Sequence, residues 1–217
     1  MADVEAFAAV LLAAGRSRRM GAFKPLLPFG ARSVVEVCVA NLREAGAREV
    51  VVVVGHRGGE VRAALAGEPG VRFAFNDDAE SEMGVSLARG VEAVSGEAKA
   101  LVVALVDQPA VPPRVIGSLI EARARTGARL VAPEWRGRGG HPVLVDLSLR
   151  EELLGVVREK GLRALFDAHS AEVLRVPSDT PFVARDMDTW DDYVALHTDV
   201  FGHPPKRSDE RGMLNDE

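Results

Sequence analysis

Short runs of β-branched and apolar residues alternate with amphipathic stretches along most of the chain. Residues 7–12, 49–54, 71–75 and 101–106 each read as strands, the last of them apolar throughout and ended by Asp107. Ser33 and Glu36 stand at capping-box spacing, opening a helix that buries Val34, Cys38, Leu42 and Ala45. A second helix is expected over about 84–94. Pro112 and Pro113 start a third, to about 125, because proline is tolerated in a first turn. Residues 130–132, 142–145 and 172–176 read as later strands, with a glycine-rich turn at 137–140. Residues 151–158, 162–168 and 190–196 read as helices. The alternation predicts a three-layer α/β fold, a mainly parallel twisted sheet with helices on both faces. No repeat and no long linker divides it, so residues 1–200 are expected to form a single domain. Residues 201–217 turn polar and are expected to be a flexible tail.

Composition narrows the class. With 217 residues, 47% hydrophobic and 27% charged, the chain can bury a full core and is not of the disordered type. A net charge of −5 argues against non-specific binding to nucleic acid or an anionic membrane, although a local basic loop can still grip one phosphate group. Cys38 stands alone, which excludes an internal disulfide and a multi-cysteine zinc site, and it reads as core filling. No stretch of ~18 apolar residues occurs, so no membrane span is expected. Asp3 and Glu5, not a basic segment, precede the first strand, so no signal peptide is expected. A cytoplasmic monomer is the expectation.

The chemistry concentrates in residues 11–26. An apolar strand runs into Ala13, Ala14 and Gly15, then into Arg16, Arg18, Arg19 and Lys24. Small residues let a flat base or sugar approach the backbone. Exposed amides in the turn, with Arg16, Arg19 and Lys24, can surround a triphosphate. Such a loop sits where ligands bind in open α/β sheets, outside the carboxyl ends of the strands. It is not a P-loop, since Ala22 follows Gly21 where lysine is required. It is not a dinucleotide fingerprint either, since only Gly15 and Gly21 are present with basic residues between them.

Leu12-Ala13-Ala14-Gly15-Arg16-Ser17-x-Arg19-Met20-Gly21-x-x-Lys24-x-Leu26-Leu27 resembles the signature of the MobA-like nucleotidyltransferases, in particular their molybdenum-cofactor cytidylyltransferase branch. Residues 76–87, with Met83-Gly84-x-Ser86-Leu87, are similar to the second nucleotide-side segment of that family. Val106-Asp107-Gln108-Pro109 is similar to its metal-binding strand end. Gly140-His141-Pro142-Val143-Leu144 and Asp186-Met187-Asp188-Thr189 are similar to its later motifs. The resemblance implies the Rossmann-like fold of the nucleotide-diphospho-sugar transferases and a magnesium-dependent reaction. In it, the phosphate of an acceptor attacks the α-phosphorus of a nucleoside triphosphate and pyrophosphate leaves.

The implied nucleotide-side residues are Leu12, Ala13, Ala14, Gly15, Arg16, Arg19, Lys24, Gly84 and Ser86. Ser86 equally suits a helix cap. Arg16, Lys24 and Asp107 carry the implied catalytic roles. Magnesium usually takes one or two carboxylates beside phosphate oxygens. Asp107 is one, and Asp188, carried on a distant strand folded back to the same edge, is taken as the other, with Asp186 as the alternative. His141 is the acceptor-side candidate and His56 a further one at the same edge. His169, His197 and His203 are expected at the surface, and Trp135 in packing or a pocket wall. The methyl of Ala14, where the guanylyl branch has glycine, disfavours a purine, so CTP is expected over GTP. The implied acceptor is molybdopterin, and the partners a molybdoenzyme or its insertion chaperone. The rival readings are a GTP-using enzyme, a transferase for another phosphorylated acceptor, and a catalytically silent nucleotide-binding accessory protein.

Overall fold

A computed structural model describes residues 6–78 and 81–206. The first strand, β1 (Phe7–Ala13), has every residue buried. A loop and a 3-10 turn over Lys24–Leu26 lead into a small hairpin of β2 (Pro28–Phe29) and β3 (Arg32–Ser33), and then into α1 (Val34–Glu44). There follow β4 (Glu49–Val54), α2 (Gly58–Ala64), β5 (Val71–Phe75), α3 (Met83–Ala93), β6 (Ala100–Leu105) and α4 (Pro113–Thr126). The remainder comprises β7 (Leu130–Trp135), β8 (Arg138–Gly139), β9 (Val143–Asp146), α5 (Arg150–Ala168), β10 (Val173–Pro177) and α6 (Trp190–Phe201).

The main sheet runs in the order β10-β7-β9-β6-β1-β4-β5, with β8 paired to β7. β1 is parallel to both β4 and β6, while β9 runs antiparallel between β6 and β7, and β8 runs antiparallel to β7. Strand alternation sends side chains to two cores. Phe7, Ala9 and Leu11 pack with residues of α1, α2, α4 and α6 on one face. Ala8, Val10 and Leu12 pack with Leu87 and Val91 of α3 and Leu153 and Val157 of α5 on the other. The predicted layers are therefore present, and a strand buried on both faces explains why β1 reads as an unbroken apolar run.

Local signals hold where they rest on capping chemistry. Ser33 and Glu36 form the reciprocal box at the start of α1, and Gly161 interrupts α5 with φ 71°, separating the two expected helical stretches. Four expectations need correction. Ser86 is no cap, because α3 starts at Met83 and Ser86 lies inside it. His197 is no surface residue; it is 4% exposed, wedged among Phe29, Tyr193 and Phe201. That packing extends α6 to Phe201, beyond its expected end, so the helix runs into the expected tail; residues 207–217 of that tail lie outside the described residues, as do Asp3 and Glu5. Asp186 and Asp188 lie in irregular chain between a 3-10 turn at Pro181–Ala184 and α6, not on a strand. Among the described residues no helix is long and apolar enough to cross a membrane.

Gly84 marks where α3 crosses α5. A Cβ built there would lie 1.7 Å from the Val157 carbonyl oxygen, a backbone atom that cannot swing aside. Gly84→Ala should therefore destabilise the fold by about 3 kcal/mol, the upper part of the usual overpacking range. Chemical denaturation measures this, and an unchanged midpoint contradicts the close crossing.

Candidate active site

The loop after β1 and the residues after β6 share one rim of the sheet, because Leu12 registers against Leu105 in the parallel pair. A cleft of about 570 Å³ opens there. Leu12 at the end of β1 lines it with Ala14, Gly15, Arg16, Arg19 and Lys24 of the following loop, His56 after β4, Ser86 on α3, and Asp107 and Asp188 beside Lys24. Three other predicted residues do not line it. Ala13 is buried in the sheet core, Gly84 lies against α5, and the backbone N–H of His141 donates to the Val183 carbonyl at 2.8 Å.

The loop is held by its apolar half. Met20, Ala22 and Phe23 are buried, so the intervening polar residues are carried on a fixed support. Ser17 adopts a left-handed φ of 53°; its carbonyl accepts from Met20 N–H at 2.9 Å and its Oγ accepts from Lys24 N–H at 3.1 Å. Arg57 lies with its guanidinium 4.9 Å from the Phe23 ring centroid and pins the same loop from outside.

Lys24 thereby becomes a nearly buried cation, 7% exposed. Its Nζ lies 3.3 Å from Asp107 Oδ2 and 3.3 Å from Asp188 Oδ1. The exposed Arg19 reaches the other oxygen of Asp188 at 3.0 Å. The two acids meet because the buried Met187 donates its N–H to the carbonyl of Asp107 at 3.0 Å. The neighbouring Asp186 takes a different partner, the Nε2 of Gln108 at 2.7 Å. Thr189 then caps α6 in a box with Asp192, fixing the direction in which the chain leaves.

Burial holds the Asp107 carboxyl above its ordinary value, more than the Lys24 ammonium lowers it, and Asp186 and Asp188 push it the same way as burial. Its Oδ1 is buried and has no hydrogen-bond partner. An unpaired carboxylate oxygen beside a second carboxylate fits a hard divalent cation with water and phosphate oxygens completing its shell. His141 is held below its ordinary value by burial, so its ring is neutral at physiological pH.

Gly55 carried no role in the sequence reading, and Asn76, Asp77, Asp78, Ser81 and Met83 fell within the 76–87 segment without roles of their own; all line the cleft. Gly55 is the most constrained, since a Cβ there would meet the Asn76 carbonyl oxygen at 2.7 Å and that of Ala14 at 3.1 Å. The loops after β1, β4 and β5 touch at this glycine. The signal for it was a glycine directly after the valine run of β4.

Comparison with known proteins places the cleft in context. The MobA-like NTP transferase domain matches residues 9–173, a span that ends before Asp188. The chain is 34% identical over 163 residues to the nicotine blue oxidoreductase of Paenarthrobacter nicotinovorans, covering 71% of this chain and 78% of that protein. It is 30% identical over 185 residues to a probable molybdenum cofactor guanylyltransferase of Mycobacterium avium, covering 82% and 89%. It is 25% identical over 188 residues to the molybdenum cofactor cytidylyltransferase of Escherichia coli, covering 85% and 92%. Among solved structures, Rv0371C of Mycobacterium tuberculosis in complex with manganese is similar with a TM-score of 0.73 and 27% identity, covering 88% of this chain and 97% of that one.

The electrostatics generate a test. An acid whose folded-state pKa is raised contributes stability below its unfolded value, about 3.9, and loses it as pH climbs through the folded value. Asp107→Asn escapes that loss. With chelator present, the melting temperature of Asp107→Asn relative to the parent should rise as pH climbs above about 4. A difference independent of pH contradicts the burial of the charge.

Proposed function

The chain belongs to the MobA-like NTP transferase family, and we propose that it transfers CMP from CTP to the terminal phosphate of a molybdopterin-type acceptor, releasing pyrophosphate. The observation that carries this reading is the Lys24 ammonium set 3.3 Å from both Asp107 and Asp188 at the rim of a polar cleft. Two acids and a cation at one point suit a metal-bound triphosphate, and simple nucleotide binding does not call for both acids. The molybdenum cofactor is favoured as acceptor by two relatives named for it, each covered over about nine-tenths of its length.

Asp107 and Asp188 are the residues that would hold magnesium, and the unpaired Oδ1 of Asp107 fits that use. Bound there, the ion supplies Lewis-acid charge withdrawal at the phosphates. The chain's own residues do the rest. Arg16 and Arg19 stand at the exposed side of the cleft, where they neutralise the β- and γ-phosphates. Lys24, on its rigid turn, offers a preorganised charge to the departing pyrophosphate. The acceptor phosphate is anionic at neutral pH and needs no strong base, so positioning and charge neutralisation carry the catalysis. His141 lies outside the cleft lining and takes no part in this reading.

CTP is favoured over GTP because the Ala14 methyl stands at the cleft wall, packed toward Gly55, and takes room that a purine requires. One methyl is worth about 1–3 kcal/mol in such discrimination. An oxidoreductase reading, raised by the name of one relative, needs a redox cofactor; the loop after β1 offers arginines where a dinucleotide fingerprint has glycines.

Thermal shifts with CTP, GTP, ATP, UTP and a nicotinamide dinucleotide, each with magnesium, test the class, since preferential binding raises stability. CTP should stabilise most. Pyrophosphate release with CTP and molybdopterin should then fall about a hundredfold or more in Lys24→Ala, with circular dichroism unchanged. Stabilisation by the dinucleotide alone, or undiminished turnover in the variant, overturns the proposal.

A further inference from the structure

Three side-chain atoms among the described residues are buried without a hydrogen-bond partner: Asn76 Oδ1, Asp107 Oδ1 and Gln108 Oε1. All three are acceptors, and the first two belong to residues lining the cleft. Asp107 is accounted for by a cation. Asn76 stands far from that point and calls for a different explanation.

Asn76 follows β5 and continues its ladder, donating its backbone N–H to the Val54 carbonyl at 2.8 Å. The side chain belongs to a residue only 5% exposed. Its Nδ2 donates to Ser81 Oγ and to Ser86 Oγ, both at 2.8 Å. The orientation of the amide follows from those contacts. Ser81 gives its one hydroxyl proton to the Asp78 carbonyl at 2.8 Å, so toward Asn76 it can only accept. Turning the amide over would set its oxygen against that acceptor. Oδ1 is thus the atom left facing no protein donor, at a cost of about 1–3 kcal/mol for a buried polar group.

The position of this atom has a length scale. Along the rim, β6, β1, β4 and β5 are successive neighbours, so Asp107 and Asn76 stand three strand spacings apart, about 14 Å. An extended nucleotide spans a comparable distance from the amino group of its base to its phosphates. Between the two ends the floor is made by Ala14 and Gly55, a methyl and a bare backbone, over which a flat ring can lie.

We infer that Asn76 Oδ1 accepts a hydrogen bond from the exocyclic amino group of the nucleobase. The site therefore takes a base that presents an exocyclic amine, cytosine being the one that also fits beside the Ala14 methyl, and rejects uracil, which presents a carbonyl in place of the cytosine amine. Asn76 is a specificity residue, and Ser81 and Ser86 position its amide. This rests on the reading of the cleft as a nucleotide site, with phosphates at the Asp107 end.

Calorimetry with manganese and CTP, UTP or tripolyphosphate tests both levels separately. The parent should bind UTP about tenfold or more weakly than CTP, the scale set by one buried acceptor left unpaired. Asn76→Leu should bring the two nucleotides to within about twofold, while its affinity for tripolyphosphate stays that of the parent. Retained tripolyphosphate binding and an unchanged circular dichroism spectrum guard against a folding defect in the leucine variant. An unchanged CTP-to-UTP ratio in Asn76→Leu overturns the role of Asn76 and leaves the nucleotide site standing. Failure of the parent to bind either nucleotide, or tripolyphosphate, overturns the reading of the cleft itself.

Discussion

A lysine ammonium between two carboxylates is the contact around which the rim of this protein is arranged. At 3.3 Å and an effective dielectric of ~20, each attraction is worth about 5 kcal/mol before desolvation and the mutual repulsion of the acids are counted. Those opposing effects are of similar size. The Asp107 carboxyl remains raised despite Lys24, so burial outweighs the attraction at that position. The contact is therefore not a device for stability. It persists because the scaffold imposes it: Met20, Ala22 and Phe23 anchor the loop, Ser17 ties down the Lys24 backbone, and Met187 locks the second acid to the first.

The second acid shows how far apart the determinants lie. Asp188 sits beyond the span matched by the family and reaches the rim only because α6 docks on the face that carries α1. Tyr193 of that helix is fully buried and donates its hydroxyl to the Pro28 carbonyl at 2.6 Å, just after the Lys24 turn. The same helix bears the capping box that fixes the chain next to Asp188. One end of the molecule thus completes a cleft begun at the other, and the packing of α6 belongs to that cleft as much as to the core.

What could be read from the sequence was what local chemistry decides. The inner strands of the sheet are apolar runs, and β4 and β5 have the expected bounds. The Ser33–Glu36 box declared the start of α1. The loop from Leu12 to Lys24 was visible by composition, since small residues and cations in succession after a buried strand have few structural uses. What stayed hidden depended on contacts between distant segments. α2 begins at a left-handed Arg57 before two glycines, with no capping residue to announce it. His197 reads as polar until Phe29, Tyr193 and Phe201 surround it. Gly84 reads as a nucleotide-side glycine at the start of a helix, whereas its missing side chain lets α5 approach.

Asn76 belongs to the same hidden class, for a reason that bears on function. An asparagine after a strand is an ordinary turn former. Only the folded arrangement reveals that two serines consume both of its donors and leave its acceptor unpaired. Natural proteins rarely retain such an atom without a use for it. With Asp107 at one end of the cleft and Asn76 at the other, both unpaired groups are hydrogen-bond acceptors, and the span between them is set by the sheet spacing rather than by side-chain length. A ligand that satisfies both must be cationic or metal-bound at one end and donate a hydrogen bond at the other. A metal-bound nucleotide with an amino-bearing base would meet both conditions, and the sheet spacing would then set the length of the ligand.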